Sequence, residues 1–126
     1  MQEQDLFALA KKARENAYAP YSDFKVGAAL LAESGIVYLG CNVENASYGL
    51  TVCAERVAIF KAISDGERTF KAIAICAIDK PIPPCGACLQ VMAEFGDLDV
   101  LSFDLKGNCV RRRLSELLPQ AFRFTD

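Results

Sequence analysis

The sequence contains no histidine and no tryptophan. Because histidine is the side chain that titrates near neutral pH and a common metal ligand, any general acid, general base or metal ligand in this chain must be another residue type. An excess of charge of one sign is also absent, since 14 basic residues stand against 16 acidic ones and the formal net charge is -2. The composition therefore offers no electrostatic attraction for a nucleic acid backbone.

Long apolar runs are missing as well. No stretch approaches the roughly 20 apolar residues that a membrane-spanning helix needs. The segment from Met1 to Lys12 is charged and lacks the pattern of a signal peptide. We therefore expect a soluble protein of the cytoplasm. A length of 126 residues, of which 52% are hydrophobic, favours a single domain covering residues 1–126 with a substantial core.

Hydrophobic periodicity, bounded by glycine, proline and other turn residues, predicts alternating helices and strands. Helices are predicted at residues 3–17, 53–63, 86–95 and 114–118, and strands at residues 24–32, 36–42, 70–77 and 100–104, with a short fifth strand after residue 108. Residues 43–52 are polar and irregular, as in a binding loop. This order of elements, with one initial hairpin, predicts an α/β layered domain built on a mixed sheet.

Cysteine is abundant for a chain of this length, and the six positions are Cys41, Cys53, Cys76, Cys85, Cys88 and Cys109. In a secreted protein they would suggest a disulfide framework, whereas a reducing cytosol favours metal binding. Cys41 and Cys76 lie in predicted strands, where small buried side chains are expected, and Cys109 beside a turn is expected to be inert. Cys41 could instead be a fourth metal ligand, but a site filled by four cysteines would leave no position for water.

Three of the cysteines stand at the starts of two predicted helices. Cys85 and Cys88 form a C-x-x-C motif, which alone is ambiguous between zinc and redox chemistry, and Cys53 opens the preceding helix. The positive end of each helix dipole favours the thiolate form of a cysteine. Because zinc prefers four ligands, three thiolates would leave one coordination position open, which is the pattern of a catalytic site.

Two charged residues follow Cys53 in the first turn of an otherwise apolar helix. Glu55 could move a proton between a metal-activated water and a substrate, or it could be a surface carboxylate favoured by the helix dipole. Arg56 could hydrogen-bond the sulfur atoms and offset the formal charge of about -1 that three thiolates leave on a divalent ion. Its alternative is a solvated position on the helix surface.

The motifs Cys53-Ala54-Glu55 and Pro84-Cys85-Gly86-Ala87-Cys88 form the three-cysteine version of the zinc deaminase signature. Three further segments resemble parts of the cytidine deaminase family: APYSDFKVG at residues 19–27, GCNVENASY at residues 40–48 and ELLPQAF at residues 116–122. The likeness extends over nearly the whole chain in the expected order. The sequence is therefore similar to the small homotetrameric class of cytidine deaminases.

This resemblance implies a three-layer α/β/α domain with a mixed five-stranded sheet. It implies one zinc ion per subunit, held by Cys53, Cys85 and Cys88, with a zinc-activated water that attacks C4 of cytosine. Glu55 would protonate the ring nitrogen and then the leaving ammonia. Cytidine and 2′-deoxycytidine would give uridine and 2′-deoxyuridine, as in pyrimidine salvage. The family likeness also implies a homotetramer whose pockets are completed by neighbouring subunits, with no nucleic acid or membrane partner.

The resemblance also assigns substrate contacts, at Phe24, Asn42, Val43, Glu44, Ala46, Tyr48, Ala54 and Phe122. Asn42 and Glu44, in the stretch that contains Val43, would hydrogen-bond the 3′-hydroxyl of the ribose. Phe24 would pack near the base, and Phe122 of another subunit would stack on it. Ala46 and Tyr48 of neighbouring subunits would lie near the 5′ end, and the backbone N–H of Ala54 would contact the base oxygen.

One position departs from the family pattern. The family usually has Arg-Gln after the second cysteine of the C-x-x-C motif, whereas this chain has Leu89-Gln90. The missing arginine leaves the zinc ligands in place and gives Arg56 more of the charge to offset.

Three other functions share parts of the pattern. A deaminase of another aminopyrimidine nucleoside, such as blasticidin S, is disfavoured by the stretch at residues 42–45, which suits a simple ribose. A polynucleotide deaminase is disfavoured by the near-neutral charge and the lack of an aromatic and basic groove. A non-catalytic, zinc-stabilised binding domain is disfavoured by the open coordination position and by Glu55.

Overall fold

The structure, a computed structural model, describes residues 1–124. The helices are α1 (Glu3–Arg14), α2 (Ala54–Ser64), α3 (Gly86–Ala93) and α4 (Leu114–Leu117). The strands are β1 (Gly27–Ala32), β2 (Val37–Cys41), β3 (Phe70–Cys76), β4 (Asp99–Phe103) and β5 (Cys109–Arg113). A 3-10 turn at Tyr48–Leu50 lies in the predicted binding loop. Among the described residues, no helix has both the length and the apolar character needed to span a membrane.

The five strands form one mixed sheet in the order β2-β1-β3-β4-β5. β3 and β4 run parallel, and the other neighbouring pairs are antiparallel. A parallel pair needs a crossover connection, and here α3 supplies it between β3 and β4. The α/β class and the mixed five-stranded sheet predicted from the sequence are therefore confirmed.

Side chains of the central strands alternate between the two faces of the sheet. Ile73 and Ile75 of β3 pack into a core shared with α2 and α3, whereas Ala72, Ala74 and Cys76 of the same strand face α1. Because side chains alternate with a period of two residues, each face of the sheet has its own apolar core. Helices cover both faces, which gives three layers. It also explains why β3 is apolar along most of its length, since both of its faces are covered.

Several element boundaries differ from the predicted ones. α1 ends at Arg14, because the N–H groups of Asn16 and Ala17 bond to carbonyls three residues earlier, in a tighter turn. β1 begins at Gly27 and not at residue 24, because the backbone at residues 24–26 bonds to the side chain of Asn42 in place of a neighbouring strand. The remaining helix and strand ends lie within two residues of their predicted positions.

The topology brings the starts of two helices to one end of the sheet. β3 runs directly toward the loop that begins α3, so the start of α3 lies beyond the carboxyl end of β3. α2 leads into the opposite end of β3, and its own start therefore returns to the same edge as that of α3. Gly27 and Cys41 pair with each other there, and Gly27 also pairs with Cys76 at the end of β3.

A glycine in β2 lets α2 lie close against the sheet. A Cβ atom on Gly40 would lie 2.3 Å from the carbonyl oxygen of Ala54 and 2.6 Å from the backbone nitrogen of Ala58. Both contacts are to backbone atoms of α2, which cannot rotate away. The position of the first turn of α2 therefore depends on the missing side chain at residue 40.

We expect Gly40→Ala to destabilise the fold, because the added methyl group must push the first turn of α2 away from β2. Overpacking of this kind costs about 1–3 kcal/mol, and contact with backbone places this substitution at the upper end. Thermal and denaturant unfolding would measure the loss. Gly49→Ala is the matched control, since among residues 1–124 no atom other than those of its chain neighbours lies within 4 Å of the position of its Cβ. Equal stabilities of the two variants would contradict the close-approach argument.

Candidate metal centre and active site

Three thiols converge where α2 and α3 begin. Cys53 is the N-cap residue of α2, Cys85 is the N-cap residue of α3, and Cys88 lies in the first turn of α3. The Sγ atom of Cys85 lies 3.9 Å from that of Cys53 and 3.5 Å from that of Cys88. All three sulfur atoms lie within 4.8 Å of one another, and they form the one metal-ligand cluster found among residues 1–124.

The spacing of these thiols suits a tetrahedral zinc ion. A Zn–S bond of about 2.3 Å in tetrahedral geometry separates two sulfur ligands by about 3.8 Å, close to the observed distances. Both helices also direct their positive dipole ends toward the cluster, which favours thiolates. The donor set of three soft sulfur atoms, with room for one further ligand, fits a zinc ion that can bind water or a substrate.

Arg56 supplies a positive charge to the cluster. Its Nη2 atom donates a hydrogen bond to the Sγ atom of Cys53 at 3.3 Å. Its Nε atom is buried and has no partner among the described residues, so one N–H donor remains for a second sulfur atom. The neighbouring Cys88 thiol and the hydrogen bond from Arg56 lower the pKa of Cys53 well below its ordinary value, and the thiolate in turn raises the pKa of Arg56. The structure thus favours the sulfur-binding role of Arg56 over a solvated one.

Glu55 is buried beside the cluster. Only 5% of the residue is exposed, so the alternative of a surface carboxylate is wrong. Burial penalises the charged carboxylate and raises the pKa of Glu55 to about 7. The helix start explains the position, because Glu55 follows the N-cap Cys53 by two residues and lies in the first turn of α2. A buried carboxyl group next to three thiols is available to exchange protons with a ligand of the metal.

Leu89 has a structural role that accounts for the departure from the family motif. The residue is 8% exposed and packs in the core between the sheet and the helices α2 and α3. An apolar side chain suits this environment, and the guanidinium group that contacts the thiols comes from Arg56.

Glu44 is held by the chain segment that precedes β1. Its Oε1 atom accepts the N–H groups of Tyr21 at 2.9 Å and Ser22 at 3.2 Å, and its Oε2 atom accepts the hydroxyl of Ser22. The hydrogen bond from the Ser22 side chain lowers the pKa of Glu44, so this carboxylate is ionised at neutral pH. Sequence reasoning missed Ser22, since a lone serine in a turn gives no signal of its partner.

Asn42 is buried and binds the backbone on both sides of Lys25. Its Oδ1 atom accepts the N–H of Val26 at 2.9 Å, and its Nδ2 atom donates to the carbonyl oxygen of Phe24 at 2.7 Å. One N–H of the amide is left for another acceptor. Asn42 therefore shapes the segment that carries Phe24, a structural task that the sequence pattern did not indicate.

The other candidate substrate contacts lie at the surface of the single chain or at a helix start. Val43 and Phe24 are exposed over 44% and 37% of their surface, and Val43 pairs with Tyr18 and Val52 in isolated bridges. Ala46 is exposed, and Tyr48 is 89% exposed. Ala54 is buried as the first residue of α2, where its N–H has no partner within the helix.

Phe122 lies on the chain segment after α4 and is 68% exposed. The side-chain amide of Gln90 in α3 binds this segment in both directions. It donates to the carbonyl oxygen of Phe122 at 2.9 Å and accepts the N–H of Phe122 at 3.2 Å. Gln90 follows Cys88 by two residues, so one helix holds both a thiol of the cluster and the C-terminal aromatic residue.

The remaining cysteines do not join the thiol cluster. Cys76 is fully buried in β3, as predicted. Cys41 is only partly buried, so the prediction of a small buried side chain is wrong at this position, because Cys41 lies at the end of the edge strand β2. It is not part of the cluster formed by the other three thiols, and the alternative of a fourth cysteine ligand fails. Cys109 is partly buried in β5.

We expect Cys53→Ser to lower zinc affinity by about 100-fold or more, because the alcohol is a poor replacement for the thiolate and removes the bond to Arg56. Zinc bound to the purified, dialysed protein would be measured by elemental analysis. Cys41→Ser is the control, since this thiol is partly buried near the same end of the sheet but lies outside the cluster. Retention of the full zinc content by Cys53→Ser would contradict the ligand assignment.

Comparison with known families supports a metal-binding function. Residues 1–103 match the family model described as the cytidine and deoxycytidylate deaminase zinc-binding region. The chain is 54% identical over 129 aligned residues to a cytidine deaminase of Sporosarcina psychrophila, with 100% of this chain and 95% of that protein covered. It is 55% identical to a cytidine deaminase of Halalkalibacterium halodurans, with 100% and 98% covered.

Solved structures give the same result for the fold. The chain superposes on the crystal structure of cytidine deaminase from Burkholderia pseudomallei with a TM-score of 0.93 and 52% identity, covering 97% of this chain and 100% of the other. The structure of cytidine deaminase from Mycobacterium tuberculosis gives a TM-score of 0.85 and 40% identity, covering 98% of this chain and 99% of the other.

Proposed function

The chain belongs to the cytidine and deoxycytidylate deaminase family and deaminates cytidine by hydrolysis, and from this premise we propose which of its residues perform the reaction. The observation that carries the proposal is the buried carboxyl group of Glu55 beside three convergent thiols. The substrates are cytidine and 2′-deoxycytidine, and the products are uridine or 2′-deoxyuridine and ammonia. Because these are free nucleosides, the reaction serves pyrimidine salvage.

Cys53, Cys85 and Cys88 hold one zinc ion per subunit. The ion, when bound, supplies a water activated for attack on C4 of the cytosine ring. Three thiolates on a divalent cation leave a net charge of about -1 at the centre. The guanidinium group of Arg56 offsets this charge through its bond to Cys53 and its second buried donor. The protein thereby keeps an electron-rich centre in a partly buried position.

Glu55 moves the protons of the reaction. Hydrolysis of the amine needs a proton at the ring nitrogen next to C4 and a second one on the departing amino group. A single carboxyl group can carry the first proton from the attacking water to the ring nitrogen, and the second from the hydroxyl group added at C4 to the leaving amino group. Glu55 suits this task because it is buried next to the thiols and lies on the rigid first turn of α2.

Residues at the same end of the sheet bind the nucleoside. Glu44 accepts the 3′-hydroxyl of the sugar, and the free N–H of the Asn42 amide donates to it. The backbone N–H of Ala54, which has no partner within α2, donates to the base oxygen. Phe24 packs beside the base, with Val43 next to the sugar clamp. A polar clamp for the sugar and an apolar face for the base are what a nucleoside site requires.

A homotetramer completes this site. In a single chain Cys85 is exposed and Cys53 is partly exposed, so another subunit must cover the cluster to exclude bulk water. Large exposed side chains are available for such contacts: Tyr18, Tyr21, Tyr48, Leu50, Phe60 and Phe122. An open groove of about 840 Å³ next to Val57 and Phe60 of α2 fits a second copy of the chain. Phe122, Ala46 and Tyr48 reach the sites of neighbouring subunits.

The cytoplasm is the compartment that suits this chemistry. All six cysteines are free thiols in the structure, and a reducing compartment keeps the three zinc ligands available as thiolates. The nucleoside substrate is also a small molecule of that compartment.

We expect Glu55→Gln to lower kcat for cytidine by about 100-fold or more, because the amide cannot transfer protons but keeps the shape of the side chain. Ammonia release from zinc-loaded protein would be measured, together with zinc content. Glu15→Gln is the control, since this carboxylate is exposed at the end of α1. A Glu55→Gln enzyme with normal turnover and normal zinc would exclude the proton-transfer role.

Sharing of the pocket between subunits can be tested by mixing two inactive chains. Phe122→Ala chains keep the thiols and Glu55 but lack the stacking ring, whereas Glu55→Gln chains keep Phe122. Assemblies that contain both chains form some sites with both groups intact, so we expect them to be more active than either parent. Differently tagged chains, co-expressed and purified through both tags, would give these assemblies.

Two results of the mixing experiment would contradict the shared pocket. Mixed assemblies with only the average activity of their parents would show that Phe122 acts within its own subunit. An active monomer in gel filtration would exclude the homotetramer as the catalytic form. The matched control uses Phe124→Ala chains in place of Phe122→Ala chains, because the neighbouring ring of Phe124 is 97% exposed.

A further inference from the structure

Ser22 connects two groups that the proposed function places on the nucleoside, the carboxylate of Glu44 and the ring of Phe24. Its hydroxyl group donates to the Oε2 atom of Glu44 and accepts the backbone N–H of Phe24 at 3.0 Å. We propose that Ser22 is a positioning residue that directs Glu44 toward the sugar 3′-hydroxyl and fixes the distance between Glu44 and the base pocket. The inference rests on the sugar-binding role proposed for Glu44.

The hydrogen bonds of Glu44 leave one acceptor position free. A carboxylate has about four lone-pair sites, two on each oxygen. The Oε1 atom accepts two backbone N–H groups, from Tyr21 and Ser22, and both of its sites are occupied. Within the described part of the chain, the Oε2 atom accepts only the hydroxyl of Ser22. The sugar hydroxyl therefore donates to Oε2, and the bond from Ser22 decides which way the free lone pair points.

The backbone around Ser22 is shaped to make these bonds. Asp23 has a φ angle of 57°, in the left-handed region that non-glycine residues seldom occupy. Its N–H bonds to the carbonyl oxygen of Ala19 at 3.0 Å. This turn directs the N–H groups of Tyr21 and Ser22 toward Glu44. A strained conformation that is kept at a binding segment indicates that the surrounding bonds determine it.

Asn42 holds the other side of the same segment. Its amide bonds the carbonyl oxygen of Phe24 and the N–H of Val26, while Ser22 bonds the N–H of Phe24. Both polar groups of the Phe24 backbone are therefore held by side chains. Glu44 and Asn42 belong to one extended segment, so these hydrogen bonds fix the position of the sugar clamp relative to Phe24. Of the two side chains that hold this segment, Asn42 and Ser22, that of Ser22 also contacts Glu44.

Ser22→Ala tests this role through the substrate's own hydroxyl group. The variant keeps the two backbone bonds to Glu44 and the two bonds from Asn42 that hold the segment around Phe24, but it loses the bond at Oε2 and the bond to the N–H of Phe24. We expect KM for cytidine to rise about tenfold, the usual cost of a lost bond to a charged group, with kcat nearly unchanged. The KM for 2′,3′-dideoxycytidine, which lacks the 3′-hydroxyl together with the 2′-hydroxyl, should change little. Ser22→Thr retains a hydroxyl and should restore the cytidine KM.

Ser34 provides a closely matched control at the opposite end of β1. Its hydroxyl also donates to a carboxylate, Oε2 of Glu67 at 2.6 Å, and accepts the N–H two residues later, from Ile36 at 3.3 Å. Ser34→Ala therefore removes the same pair of bonds far from the thiols. We expect it to leave both KM values as in the wild type.

The outcomes separate this inference from the proposed function. A Ser22→Ala enzyme that still prefers cytidine over the dideoxy analogue by the wild-type factor overturns the role of Ser22 alone. A wild-type enzyme that binds both nucleosides equally overturns the sugar-binding role of Glu44, and the inference falls with it. Zinc content and melting temperature, measured on every variant, must match the wild type for a KM change to count in support.

Discussion

The convergence of two helix starts on one point is the constraint on which the site depends. Cys53 ends the segment before α2, and Cys85 and Cys88 flank the start of α3. In the chain, β3 connects α2 to α3. The three sulfur atoms meet because both helices begin at the carboxyl end of this strand. The position of Cys53 also depends on how closely α2 lies against the sheet, since the backbone of α2 packs directly on Gly40. The chemistry of the cluster thus follows from layer spacing and strand direction.

Electrostatics at the cluster follow from the same arrangement. Two helix dipoles and one guanidinium group act on the cluster, and the pKa of Cys53 is lowered there, which favours its thiolate form. Glu55 is buried in the first turn of α2, where desolvation raises the pKa of its carboxyl group to about 7. In a chain without histidine, burial thus gives a carboxylic acid a pKa of about 7.

Much of the fold and of the thiol cluster could be predicted from the sequence. Hydrophobic periodicity identified each helix and strand, and the helix-start positions of the cysteines indicated their convergence. The beginning of β1 could not be predicted, because Asn42 replaces a neighbouring strand as the hydrogen-bond partner of residues 24–26. Ser22 and Gln90 were missed for a related reason. Each binds a partner more than twenty residues away in sequence, and such pairs leave no local pattern.

The place of β3 between the two ligand-bearing helices has a consequence for synthesis of the chain. Cys53 precedes β3 and the other two thiols follow it, while β1 pairs with β3 from an earlier part of the chain. A nascent chain that has emerged only as far as α2 contains one thiol of the cluster, and the three thiols come together only after the central strand has docked. Full-affinity binding of a metal ion by all three thiols therefore requires the central strand to be in place, which makes it a late event in folding.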